Sequence, residues 1–274
     1  MSFIKEIQSS QNPRFKYWVQ LLEKNRSRKK EGVFLLEGFK ELELALRSGY
    51  VVKEIIYCPE FTSPEIIKEF LLQWSSSDLK CELVEVTHTL FKEVAYRNDV
   101  SNVVALIEQK DHRIDQFEFK TNGVYLAVES VEKPGNLGAI LRTADASGID
   151  GVLVCDERVD IYHPNVLRNS LGCALTVSVG VGNNERVWSR ISESGLQLKT
   201  TFMENSTSVF ESDIHQNCVL LVGTEHDGVS EFWRNKGANI NIPMMGMIDS
   251  LNVSVAASIL MYESLRQRSA GINI

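Results

Sequence analysis

Two apolar runs, Val124-Tyr125-Leu126-Ala127-Val128 and Cys218-Val219-Leu220-Leu221-Val222, restrict the folds open to this chain more than any other feature. A strand wet on one face alternates polar and apolar residues, whereas one that is apolar throughout is covered on both faces, as in a parallel sheet between helices. Strand-like and helix-like patterns alternate along the rest of the sequence, which predicts an α/β protein with largely parallel sheets. At 274 residues the length suits about two domains.

Phe15, Trp18, Val19 and Leu22 recur at helical spacing, so the chain should open with an amphipathic helix ending in a basic run. Strand patterns follow at 32–36, 51–58, 81–86 and 102–108, with helical patterns at 37–47, 64–74 and 87–96. Together they predict a first α/β domain over residues 1–107. Residues 108–122, with Lys110-Asp111-His112-Arg113 near their start, are polar and aperiodic and read as a linker. A second domain, 123–274, should hold strands at 124–128, 151–155, 174–179, 196–202, 218–222 and 238–242. Its helices are expected at 137–147, 165–171, 185–194 and 253–267.

Composition removes several classes of function. No apolar run reaches the length of a bilayer crossing, and Met1 to Glu6 carry no signal-peptide core, which places the protein in the cytoplasm without a membrane role. The five cysteines are odd in number, widely spaced and mostly in strand-like runs, so they read as reduced buried thiols. The five histidines show no paired ligand spacing, and no metal is expected. A net charge of −7 argues against a general nucleic-acid coat. Locally, though, Arg14, Lys16, Lys24, Arg26, Arg28, Lys29 and Lys30 face a single acid, Glu23. Such a run is either a solvated helix face or a phosphate-binding patch.

Three loops follow strands of the second domain. In the first, Pro134 and Gly135 mark a turn, Asn136 is a candidate helix cap, and Arg142 on the ensuing helix should lean back toward that turn. The second, Gly223-Thr224-Glu225-His226-Asp227-Gly228, brackets acidic residues with glycines, leaving amides open to a ligand and Glu225 in the same crevice. The third runs from Ile242-Pro243-Met244 to Ser250-Leu251-Asn252-Val253-Ser254, more capping groups than one helix needs. In a parallel sheet, such loops share the carboxyl edge and can converge on one ligand. Neither a Rossmann glycine fingerprint nor a P-loop is present.

These residues resemble the SpoU (TrmH-type) RNA 2′-O-ribose methyltransferases of the SPOUT superfamily. The first family motif, P-x-N-x-G with an arginine four residues on, is matched by Pro134, Asn136, Gly138 and Arg142. The second, G-x-E-x-x-G, is matched by Gly223, Glu225 and Gly228, and the third by Ile242-Pro243-Met244 with Ser250-Leu251-Asn252-Val253-Ser254. Arg168-Asn169-Ser170-Leu171-Gly172 is similar to the family's R-x-S-x-G segment, and Asn12-Pro13 with Phe34 to Gly38 resembles its ribosomal-protein-like RNA-recognition domain. Two positions depart from the family pattern: Lys133 stands where an acid usually precedes the proline, and Ser101-Asn102 where Gln-Gly is frequent.

The resemblance implies a C-terminal SPOUT domain with a deep trefoil knot and homodimers built through it. It implies S-adenosyl-L-methionine as cofactor, held by Gly223, Gly228, Ile242, Met244 and Leu251. Arg142, Asn136, Glu225, Ser250 and Asn252 would carry catalysis. RNA, ribosomal rather than transfer, would be bound by Arg14, Lys16, Arg26, Arg28, Lys29, Lys30 and Arg168. An RNA-binding module without transfer activity would lack one of Asn136, Arg142, Glu225 or Asn252, and a base methyltransferase would lack S-L-N-x-S. All of these residues are present.

Overall fold

The computed structural model describes residues 5–74, 81–95, 102–224 and 227–269. The chain forms two compact units, Met1–Lys110 with Tyr162–Thr176, and Asp111–Ile161 with Val177–Ile274.

The first unit contains β1 (Lys5–Ile7), α1 (Pro13–Glu23), α2 (Asn25–Glu31), β2 (Val33–Glu37), α3 (Phe39–Arg47), β3 (Val52–Tyr57), α4 (Pro64–Trp74), β4 (Glu82–Val86), α5 (His88–Val94) and β5 (Val104–Glu108). Its sheet order is β1-β4-β3-β5-β2, parallel among the first three strands and antiparallel at β5. Asn12 starts α1, its side chain accepting from the Arg14 amide at 2.9 Å, and Phe15, Trp18 and Leu21 turn inward. The basic run does not prolong this helix. Lys24 is extended, and α2 forms separately with Arg28, Lys29 and Lys30 in its last turn, where they complement the negative end of the helix dipole.

In the second unit lie β6 (Val124–Glu129), α6 (Pro134–Ser147), β7 (Gly151–Cys155), β8 (Val179–Gly182), α8 (Asn184–Ser194), β9 (Gln197–Thr200), β10 (Thr207–Ser208), β11 (Cys218–Val222), β12 (Ala238–Asn241) and α9 (Val253–Ser269), whereas α7 (Pro164–Asn169) belongs to the first. All seven strands are parallel, in the order β10-β12-β9-β11-β6-β7-β8. The two apolar runs are adjacent and central, in register from Cys218 opposite Val124 to Val222 opposite Val128, and both are fully buried. Tyr125, Ala127, Val219 and Leu221 join Val187 and Ile191 of α8 in one core. The alternate residues lie on the opposite face, where α6 and α9 pack together, α9 against β6 and β11.

Three expectations are corrected. Residues 111–117 are not a free linker: Ile114 and Phe117 are buried in the second unit's core, and Arg113 bridges Val181. Gly151, Gly180 and Gly182 leave the space those two side chains fill. Residues 174–179 are not a strand; Cys173–Leu175 form a 3-10 turn, and the strand begins at Val179. The segment Tyr162–Thr176, expected within the second domain, is held by the first unit. Tyr162 stacks on Phe34 with centroids 4.3 Å apart, its hydroxyl accepts from the Lys110 amide at 3.0 Å, and Gly172 lies against Leu44 and Glu41.

Candidate active site

Strand order reverses between β6 and β11: the chain leaves β6 toward β7 and β8, then returns on the far side of β11 to form β9. Open parallel sheets bind ligands at the carboxyl edge of such a switch. A cavity of about 400 Å³ lies at that edge, lined by Ser130, Val131, Glu132, Lys133, Asn136, Thr224, Asp227 and Val253. Each of the three loops thus contributes to one wall.

Asn136 does not cap α6. That helix starts at Pro134, whose fixed φ and missing N–H suit a first helical position, with Lys133 at the cap and no side-chain capping bond. Asn136 sits in the first turn, and its Oδ1 accepts from Asn252 Nδ2 at 3.3 Å. Asn252 is the capping residue of α9: its Oδ1 takes the Ser254 amide at 3.0 Å and the Ser254 hydroxyl at 2.6 Å. This arrangement fixes the amide orientation, because the oxygen is occupied on the helix side. Farther along, Ser258 donates to Thr143 at 3.2 Å. The two contacts ascend α6 and α9 in the same direction, so both helix N-termini open at the cavity. Converging N-termini favour anionic or electron-rich ligands.

The second-motif loop closes on itself. Thr224 N–H donates to Gly228 O at 2.9 Å, the reverse bond is 3.2 Å, and Asp227 N–H donates to Thr224 Oγ1 at 2.9 Å. Gly228 has φ +68°, and a Cβ on Gly223 would lie 1.9 Å from Gly228 O. Glu225 lies outside the described residues. Along the third loop, Ile242, Met244 and Leu251 are half-buried, Ser250 is exposed, and Met245 and Met247 are fully exposed. Among the described residues, no backbone group from 243 to 251 bonds to another backbone group.

The side chain of Arg142 is exposed and makes no hydrogen bond or ion pair with a described residue. It is six residues beyond Asn136, about 9 Å along the helix, and is not part of the cavity wall. Ile140, Leu141 and Ala144 on the same helix are fully buried, as their spacing predicts.

Of the cations proposed for RNA, Lys16, Arg26, Lys29, Lys30 and Arg168 are exposed. Arg14 and Arg28 serve the fold instead. Arg14 pairs with Glu54 at 2.8 Å and with Glu82. Arg28, 1% exposed, donates to the Leu21 and Leu22 carbonyls at 2.7 and 3.2 Å, closing the end of α1. Arg168 borders a small void with Glu37, Glu41 and Leu167.

Sequence reasoning missed Glu129, Ser130 and Thr224. Glu129 was legible as the lone acid closing an otherwise apolar strand. Ser130 gave no such signal, and its φ of +49° is set by its amide bonding Cys155 O at 2.9 Å. The thiols of Cys58, Cys155 and Cys218 are buried and unbridged, and burial pushes Cys218 up to about 12. Among the described residues no cluster of His, Cys, Asp and Glu has the arrangement of a metal site, and no helix is long and apolar enough to cross a membrane.

Residues 123–262 match the model of the SpoU rRNA Methylase family, and residues 12–105 that of the MRM3-like substrate binding domain. The chain is 29% identical to the 23S rRNA (uridine(2479)-2'-O)-methyltransferase of Streptomyces viridochromogenes, over 96% of this chain and 93% of that protein. It is also 29% identical to the 23S rRNA (guanosine(2553)-2'-O)-methyltransferase RlmP of Bacillus subtilis, over 94% and 98%. The crystal structure of an AdoMet-bound rRNA methyltransferase from Sinorhizobium meliloti superposes with a TM-score of 0.86 at 28% identity, covering 96% of this chain and 98% of that one.

Proposed function

The chain belongs to the SpoU rRNA methylase family, and from that premise we propose how its residues act. The protein is an S-adenosylmethionine-dependent methyltransferase that modifies a ribose 2′-hydroxyl of RNA. The observation that carries the assignment of residues is the meeting of the α6 and α9 N-termini, through Asn136 and Asn252, at the cavity beside the Gly223–Gly228 loop.

The residues present fit the cofactor. Backbone groups of 243–251, without backbone partners among the described residues, suit the polar edge of an adenine, and the half-buried Ile242, Met244 and Leu251 suit its face. S-adenosylmethionine supplies, when bound, an electrophilic methyl group on a sulfonium. The task left to the protein is to align the 2′-oxygen and ease loss of its proton. The cationic, fork-shaped guanidinium of Arg142 is suited to fixing a substrate phosphate and stabilising charge developing on the oxygen, while the 2′-hydroxyl proton passes to a substrate phosphate or water. Asn136, Asn252, Ser250 and Glu225 orient the acceptor.

The first unit is assigned the RNA contact, through Lys16, Arg26, Lys29, Lys30 and Arg168. Ribosomal RNA is favoured because both relatives named above act on 23S rRNA. Cytoplasmic location and a knotted second unit belong to the same proposal. The test is to incubate the protein and labelled cofactor with ribosomal RNA and digest the product to nucleosides. Label recovered in 2′-O-methylnucleosides supports the reading, and label recovered in a base overturns it.

A homodimer through α9 is also proposed. Val255 and Tyr262 are 46% and 49% exposed and share a helix face with Ile259. An isologous pair would cover that face. Light scattering at micromolar concentration is expected to give the dimer mass, and Val255→Glu to shift it toward monomer; a monomeric wild-type protein contradicts the assignment.

A further inference from the structure

We propose that Glu129 is a positioning residue that sets the second-motif loop against the first-motif strand, and that cofactor affinity depends on it. The inference rests on the reading of residues 223–228 as a cofactor loop and adds a residue which that reading does not use. Glu129 is the last residue of β6 and is 3% exposed. A carboxylate this far from water persists only where donors converge on it. Three do so: the Ser230 amide at 2.8 Å, the Ser230 hydroxyl at 2.5 Å, and Asn184 Nδ2 at 2.6 Å from the start of α8.

The positions of these partners suggest more than support of the core. The two residues after Glu129, Ser130 and Val131, line the cavity. Ser230 follows Gly228 and Val229, so it marks the exit of the second-motif loop. Because the Thr224–Gly228 pairing ties the two ends of that loop together, the placement of the pair is decided by what holds the residues on either side of it. β11 fixes the entrance. At the exit, Val229 enters the core and Ser230 is held by Glu129, joining the two cavity walls that β6 and β11 carry.

A purely structural carboxylate would alter thermal stability but leave binding by folded protein unchanged. The two roles separate in full-length variants, with S-adenosylmethionine affinity measured by calorimetry at a temperature where circular dichroism shows each protein folded. Glu129→Ala removes the acceptor. Ser230→Pro removes both serine donors while Glu129 stays, and the Ser230 φ of −69° already suits a proline ring. Each should weaken cofactor binding by about tenfold or more, as loss of charge-assisted hydrogen bonds predicts. Glu129→Gln should restore binding in part, because the glutamine oxygen can still take the Ser230 amide, whereas the nitrogen that replaces Oε1 can no longer accept from the Ser230 hydroxyl and Asn184 and must donate to them. A flip of the Asn184 side-chain amide would present its Oδ1, which has no partner among the described residues, to that nitrogen.

If Glu129→Ala is too unstable to purify, Ser230→Pro and the milder Ser230→Ala carry the test. Folded variants that bind as tightly as wild type overturn this inference alone. Wild-type protein that fails to bind the cofactor overturns the site assignment and the inference together.

Discussion

Replacing Arg142 by alanine is expected to slow methyl transfer about a hundredfold or more, the scale of losing one contact to transition-state charge, while cofactor affinity stays nearly constant. The residue is exposed and makes no ion pair with a described residue, so its removal leaves no orphaned acid and opens no cavity. Fold stability should therefore hardly change. In single-turnover experiments the loss should appear in the rate at saturating RNA and cofactor, because the contact strengthens as charge develops on the oxygen. Arg142→Lys should recover little, since an ammonium cannot grip a phosphate through two parallel donors. A substrate with a 2′-deoxyribose at the target should accept no methyl group from wild-type enzyme. Near-normal transfer by Arg142→Ala would remove this residue from the catalytic set.

Much of the scaffold was legible because its signals are local. β6 and β11 are apolar at successive positions, and only the centre of a parallel sheet hides both faces of such strands. The α6 start was misplaced because Asn136 has the chemistry of a cap, yet Pro134 two residues earlier satisfies the first-turn requirement without one. Residues 174–179 have strand-like composition, but Gly172 at φ +84° and the packing of that segment in the first unit divert the chain into a 3-10 turn. Charge pattern identified the basic run but not which cations were engaged. Glu54 and Glu82, which engage Arg14, are 40 and 68 residues away. The Asn136–Asn252 contact spans 116 residues, and no spacing rule reaches that far. The motifs supplied both residues, and tertiary structure supplied their pairing.

Gly223→Ala is expected to abolish cofactor binding at concentrations up to about 1 mM, where binding free energy is already as weak as roughly 4 kcal/mol. The added methyl would lie 1.9 Å from Gly228 O, 2.0 Å from its carbon and 2.3 Å from Val229 N. All three are backbone atoms, so no side chain can swing aside. Relief requires breaking the Thr224–Gly228 pair, which holds the loop closed through bonds of 2.9 and 3.2 Å. Gly228→Ala should be milder: nothing lies within 4 Å of its Cβ position, and the penalty is the left-handed backbone at φ +68°, about 1 kcal/mol. Gly148→Ala, at the C-terminal end of α6 and away from the cavity, has φ +63° and also meets nothing within 4 Å, so it carries the same backbone penalty and serves as the comparison for binding. The order of affinities, Gly148→Ala above Gly228→Ala above Gly223→Ala, follows from steric space, backbone angle and distance from the cavity. Calorimetry on the three folded proteins checks it. If Gly223→Ala binds S-adenosylmethionine as wild type does, the closed Gly223–Gly228 turn is not part of the cofactor site, and the cavity beside it must be reassigned to the RNA acceptor.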